Sequence, residues 1–315
     1  ESWALERSLR SSPESLDWAT PPSGCITPSC LHNLLTDGFY APFASNPRYL
    51  LLIDCRPEKS FCRSRLVTAR SVSALQEGPA PEKCYSVVLY DDVPRTAPPS
   101  PLEEGPLSTL YHDFKRQRLD PLIVVGGWAT IEIICSHLVV EGGPALLPKA
   151  LPWYPSLMIP GFLYLGQADM ASDRRILTQL RVTHIVALSD IVPRRVLPST
   201  NYLVVPLPEG DPASEADLSQ GPDLVSSMPT ILAFFSEAKS FGGSVLVYCD
   251  QGFTRAAAVV MALLMAERGC SLEDAFYYVR RARSSVHPHR HLLQQLLSYE
   301  ISLFGAPLTA IDELF

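Results

Sequence analysis

The chain has no run long enough to cross a bilayer. Its longest apolar stretch, Ala256 to Ala266, falls far short of the ~20 residues a span needs. Membrane insertion is therefore not expected, and that stretch reads as a buried helix. A secretory signal is also missing, since Glu1 to Trp18 mix Arg with Glu around no apolar core. A cytoplasmic, intracellular and soluble setting is the expectation. The chain opens with Glu1 and not Met, which leaves room for a targeting segment ahead of it. Paired Cys spacing is absent. The eight Cys (Cys25, Cys30, Cys55, Cys62, Cys84, Cys135, Cys249, Cys270) form no CxxC, so they read as reduced thiols and not as a zinc site. Positive charge is in short supply too: a net charge of −7 argues against nucleic acid as a partner. There is no internal repeat or heptad run.

What is present suits two α/β cores. The 315 residues are 47% apolar and 19% charged, typical of globular protein. Residues 1–24 are expected to form a polar, mobile lead-in, and 25–140 a first domain with a poorly ordered, Pro-rich stretch from Val93 to Pro106. A Pro- and Gly-rich linker follows at 141–157, then a second domain at 158–304 and a short tail at 305–315.

The chemistry concentrates in Val245-Leu246-Val247-Tyr248-Cys249-Asp250-Gln251-Gly252-Phe253-Thr254-Arg255. The order is apolar strand, thiol, short loop with a central glycine, arginine, helix. Such a turn aims backbone N–H groups and the positive helix end at one point, where a dianion fits. A thiol in that field ionises more readily. The planar fork of Arg255 suits two phosphate oxygens. Asp250, Gln251, Gly252, Phe253, Thr254 and Arg255 thus form the expected phosphate-binding loop behind Cys249. The Asp250 side chain either faces the pocket and repels phosphate or faces outward at little cost.

Further on, Gly269 reads as a helix stop and Ser271 with Asp274 as a cap. Phe276, Val279 and Tyr277 are expected in the core. Arg280, Arg281 and Arg283 form either the pocket rim or a solvated basic face. His287, His289 and His291 suit loop and cap roles better than a metal, and no metal or cofactor is expected.

With Pro160 to Gly166, Thr183 to Ser189 and Tyr278 to His289, this region resembles the dual-specificity phosphatase family over about 158–304. The resemblance implies a central mixed sheet flanked by helices, with Cys249 as nucleophile and Arg255 holding phosphate. It also implies an Asp general acid on a loop about thirty residues before the Cys. Asp211 fits best, then Glu209 and Asp217. The sequence departs from the family at several places. Tyr248 stands for the usual His, Ala256 for Ser or Thr, Gln251 for a small Ala, and His289 for Asn. These losses put turnover in doubt, because the missing hydroxyl at 256 normally assists the leaving thiolate.

The first half carries a second resemblance. Leu50 to Pro57, Tyr85 to Asp91 and Leu122 to Trp128 look like strands of a three-layer rhodanese-like domain, in the form that fronts MAP kinase phosphatases. Asp91 stands where a sulfur-transferring rhodanese has its Cys. A carboxylate cannot carry a persulfide, so this domain is read as non-catalytic, with Cys55 in its core. Two kinds of relative combine these domains: active phosphatases, and pseudophosphatases with a degenerate loop. The degraded loop flanks, the scattered Arg63, Arg65 and Arg70 and the short tail favour the second; the retained Cys249 favours the first. The implied partners are phosphoproteins, MAP kinases or other signalling proteins among them. The readings left open are a phosphoprotein-binding pseudophosphatase, a weakly active dual-specificity phosphatase, and a scaffold that binds no phosphate.

Overall fold

A computed structural model describes residues 21–37, 41–46, 48–76, 86–142, 153–189, 197–208 and 223–314. The chain divides into two compact units, Glu1–Trp153 and Tyr154–Phe315.

The first unit is built on β1 (Cys25–Ile26), α1 (Pro28–Thr36), β2 (Leu50–Asp54), α2 (Glu58–Arg63), β3 (Ser64–Leu66), β4 (Arg70–Ser71), α3 (Val72–Gln76), β5 (Ser86–Tyr90), α4 (Pro106–Arg116), β6 (Pro121–Val124), α5 (Gly127–Ile134) and β7 (Val139–Glu141). β2 reads Leu-Leu-Leu-Ile-Asp and is buried at every position. An uninterrupted apolar strand of that kind belongs inside a parallel sheet covered on both faces. The sheet order is β1-β6-β5-β2-β4, all parallel, while β3 and β7 form a separate antiparallel pair. Leu51, Ile53, Val87, Leu89 and Ile123 pack against Leu107, Tyr111 and Phe114 of α4, with Cys55 among them. A charged cluster lies beside this core. The fully buried Asp54 carboxylate accepts from Arg56 Nη2 at 2.7 Å and from Tyr90 Oη at 2.9 Å. The Arg56 guanidinium lies 3.6 Å over Trp128.

The second unit holds β8 (Ser156–Ile159), β9 (Leu163–Gln167), α6 (Ala168–Ser172), α7 (Arg174–Gln179), β10 (Val182–Ala187), β11 (Asn201–Val204), α8 (Leu224–Ser240), β12 (Ser244–Cys249), α9 (Arg255–Arg268), α10 (Leu272–Ala282) and α11 (Arg290–Phe304). Its sheet order is β11-β10-β12-β9-β8, parallel except for β8 against β9. β12 is buried throughout, and so is α9 from Arg255 to Met265. A helix that is apolar all round must be enclosed, and this one sits behind the strand that carries the thiol. Gly269 closes α9 in the left-handed conformation, φ 64°. Ser271 caps α10, its hydroxyl accepting from the Asp274 N–H at 3.1 Å.

Several expectations need correction. The Val93–Pro106 stretch is held, not loose: the Gly126 N–H donates to the Arg95 carbonyl at 2.8 Å, and Arg95 pairs with both Asp91 and Glu103. Proline there stiffens a loop that these bonds anchor. The expected linker 141–157 has structured ends. Glu141 lies in β7 and β8 starts at Ser156, while 143–152 fall outside the described residues. Tyr154 is already packed, its hydroxyl donating to Gln179 Oε1 at 2.7 Å. Tyr277 is 50% exposed, because the buried face of α10 runs through Leu272, Ala275, Phe276 and Val279. The tail is also part of the unit. The fully buried Glu300 accepts from the N–H groups of Leu272 (2.6 Å), Leu308 (2.8 Å) and Thr309 (3.0 Å) and from Thr309 Oγ1 (2.8 Å).

Candidate functional site

β12 delivers Cys249 to the C-terminal edge of its sheet, and the chain turns back at once into α9. Gly252 makes that turn possible. Its φ of +75° is one that L side chains rarely adopt, and a Cβ there would lie 2.4 Å from the Gly166 carbonyl oxygen on β9. The turn aims the Gly252 N–H at the Cys249 sulfur, 3.2 Å away. The thiol itself is only 1% exposed. Gln251 and Phe253 flank the glycine. Thr254 is buried next to Arg255, the first residue of α9.

Arg255 returns over the loop, its side chain 3% exposed. Nη1 donates to the Leu207 carbonyl at 3.2 Å and Nη2 to Asp250 Oδ2 at 2.6 Å. The other Asp250 oxygen accepts from Ser189 Oγ at 2.7 Å. Of the two orientations open to Asp250, the structure has the one turned onto the arginine. Arg283 is buried against the outer side of the loop, with Nη2 3.4 Å from the Gln251 carbonyl, whereas Arg280 and Arg281 are exposed. The Phe253 ring stacks on His287 at 4.7 Å, and the His287 N–H donates to the Phe253 carbonyl at 3.1 Å.

A thiol, an amide aimed at it and a buried arginine fork at a strand-to-helix turn are groups of the kind that can hold an anion beside a nucleophile. The family model of the dual specificity phosphatase catalytic domain matches residues 163–302. The second unit is a dual-specificity-phosphatase-type domain. Dual specificity protein phosphatase Mpk3 of Drosophila melanogaster is 34% identical over 149 residues, which cover 47% of this chain and 34% of that protein. Dual specificity protein phosphatase 2 of Mus musculus is 26% identical over 293 residues, 79% of this chain and 88% of that one. A Dictyostelium discoideum protein named as a rhodanese domain-containing dual specificity protein phosphatase is 31% identical over 153 residues, 47% of this chain and 29% of that protein. The chain thus spans about a third of Mpk3 and most of the mouse phosphatase. The first unit is rhodanese-like, with the α/β fold expected of it.

Within the dual-specificity-phosphatase-type domain the departures from the family pattern have physical consequences. Tyr248 is 1% exposed. Burial, Tyr202 and the Asp250 carboxylate all push its phenol pKa up, so it stays neutral where the family usually has an imidazole. Ala256 is fully buried at the start of α9 and offers no hydroxyl to the thiol. Asp211, Glu209 and Asp217 lie outside the described residues, which stop at Pro208 and resume at Asp223. His289 precedes α11 and stacks on His291 at 5.9 Å. Two contributors had escaped the reading of the sequence: the Ser189 hydroxyl and the Leu207 carbonyl. Ser189 follows β10, the parallel neighbour of β12, and the loops after adjacent parallel strands are where such sites form. That rule was the available signal.

The rhodanese-like unit places Asp91 just after β5. Its carbonyl accepts from the Trp128 N–H at 2.8 Å, and its carboxylate from the Val93 N–H at 3.1 Å and Arg95 Nη2 at 3.0 Å. Cys55 is buried nearby, and burial first, then the Asp91 and Asp54 charges, push its thiol well up from its ordinary range.

Proposed function

We propose that this protein is a regulatory pseudophosphatase of the MK-STYX kind, which binds phosphorylated proteins through the Cys249–Arg255 loop with little or no turnover. The observation that carries the reading is the arrangement of that loop. The Gly252 N–H points at Cys249, and the buried Arg255 at the other end of the loop turns its fork onto the loop carboxylate Asp250, where an anion can bind. The groups that support turnover are weakened: Tyr248 cannot act as an imidazole, Ala256 has no hydroxyl, and Asp250 puts a negative charge on the arginine. Asp250, Gln251, Gly252, Phe253, Thr254 and Arg255 form the phosphate cradle. The rhodanese-like unit serves as a docking module, since its loop carries Asp91 and no nucleophile. Its partners are signalling phosphoproteins, MAP kinases among them, in a soluble cytoplasmic setting. Among the described residues no helix is long and apolar enough to cross a membrane.

One contact favours a weakly active dual-specificity phosphatase as the second reading. The Gly252 N–H points at Cys249 Sγ, a bond that strengthens as the sulfur becomes a thiolate. In that reading Cys249 attacks phosphorus, Arg255 stabilises the transition state and Asp211 protonates the leaving oxygen. Phosphopeptide binding and hydrolysis of an aryl phosphate, measured on the full chain, separate the two. Binding that Arg255→Ala removes, without hydrolysis, supports the first. Hydrolysis that Cys249→Ser removes supports the second. Neither binding nor hydrolysis leaves a scaffold that takes no phosphate.

A further inference from the structure

We propose that Asp250 is an intramolecular competitor for the anion site: its carboxylate occupies the arginine edge that a phosphate needs, and a ligand binds only by displacing it. The proposal rests on the phosphate-binding reading above and concerns the regulation of that same site.

The geometry argues for it in three ways. First, the Arg255 fork is already engaged, Nη1 by the Leu207 carbonyl and Nη2 by Asp250 Oδ2 at 2.6 Å. A carboxylate oxygen there makes the charge-assisted bond that a phosphate oxygen would make. Second, the carboxylate is held from its other side. Ser189 Oγ donates to Oδ1 at 2.7 Å from the loop after β10, so Asp250 is fixed on the arginine by a second element. Third, exposure is unequal. The Arg255 side chain is 3% exposed and that of Asp250 45%. The arginine is locked at the buried start of α9, while the carboxylate can swing into water, where it is well solvated, and the incoming phosphate takes over the charge of the buried arginine. The loop therefore has a closed form, with carboxylate on arginine, and an open form in which a phosphate takes its place. Affinity for phosphate is lowered by the fraction of molecules that are closed.

The test is titration of the full chain with inorganic phosphate, by calorimetry and by the phosphate-dependent rise in unfolding temperature. Asp250→Asn keeps an acceptor for Arg255 but loses the charge, and Asp250→Ala serves as a second variant should the first fold poorly. The expected result is that Asp250→Asn binds phosphate about tenfold tighter than the parent, as release of a partly exposed ion pair allows. Ser189→Ala should give a smaller gain in the same direction, and adding Arg255→Ala to Asp250→Asn should remove binding. A parent that is silent beside an Asp250→Asn variant that binds also supports the competitor. If Asp250→Asn and Asp250→Ala bind no tighter than the parent, while Arg255→Ala still abolishes binding, the competitor is overturned and the phosphate-binding reading survives. If the parent and both Asp250 variants all fail to bind, the phosphate-binding reading falls and the competitor with it.

Discussion

Two loops of this protein stand at equivalent places, each after a central parallel strand, and each pairs an aspartate with an arginine a few residues on. After β5 the pair is Asp91–Arg95; after β12 it is Asp250–Arg255. In the first, both side chains are shielded, 14% and 11% exposed, and Glu103 also holds the guanidinium. The backbone is tied down as well, through Gly126 and Trp128. In the second, the arginine is buried but its aspartate is 45% exposed, and the additional partner is the neutral Ser189 hydroxyl. The same ion pair thus makes one loop a closed structural element and leaves the other able to open. What decides is which partner keeps its access to water.

The largest expected effect is on the geometry that makes the second loop. Gly252→Ala forces a side chain into a positive-φ position against Gly166, and should destabilise the second unit by about 3–5 kcal/mol in denaturant unfolding. A cost under ~1 kcal/mol would mean that the loop is less constrained than its backbone indicates. Next comes function. Arg255→Ala should weaken phosphopeptide binding by about 100-fold, as expected for losing charge-assisted bonds, whereas Arg95→Ala should leave it unchanged in the same calorimetric titration. Equal losses from both would break the contrast between the loops.

Stability should show the reverse contrast. Arg95→Ala strands Asp91 in a shielded position and should cost the first unit about 2–3 kcal/mol. Asp250→Asn, at an exposed carboxylate, should cost less than ~1 kcal/mol. A further effect, of similar modest size, is acid sensitivity in the rhodanese-like unit. Burial and the neighbouring His32 hold the His137 pKa down at about 2, with the two rings 3.1 Å apart at Nε2 and Nδ1. The unfolded chain takes up a proton there below pH ~6.5 and the folded chain does not, so stability is full above that value and falls as the pH drops. Going from pH 7 to 5.5 should lower the stability of this unit by about 1 kcal/mol, read from hydrogen exchange of the β5 amides. His137→Gln should flatten that slope.

Much of the site was legible because spacing alone sets it. Cys249, Gly252 and Arg255 lie within seven residues of one strand-to-helix turn. The α/β architecture was legible for a similar reason, since short, fully apolar runs such as Leu50 to Ile53, ended by a polar turn, suit a covered parallel strand. The direction of Asp250 was not legible. It depends on Ser189, 61 residues earlier in the chain, which the sheet order alone brings alongside. Val93 to Pro106 misled because proline-rich composition reads the same whether or not an arginine such as Arg95 anchors the loop. Tyr277 was misplaced by one step of a helix, where a single residue turns a side chain by about 100°.

Glu300 carries a consequence for cutting the chain. The region that matches the phosphatase family model stops at residue 302, and a fragment ending there would look complete on sequence grounds. It would nevertheless lose Leu308 and Thr309, which supply three of the four hydrogen bonds to a fully buried carboxylate. A charge left that bare inside a core costs several kcal/mol. A protease that nicked the chain between Gly305 and Leu308 would therefore do more than trim a loose end: one cut at the surface would reach the packing of α10 against α11.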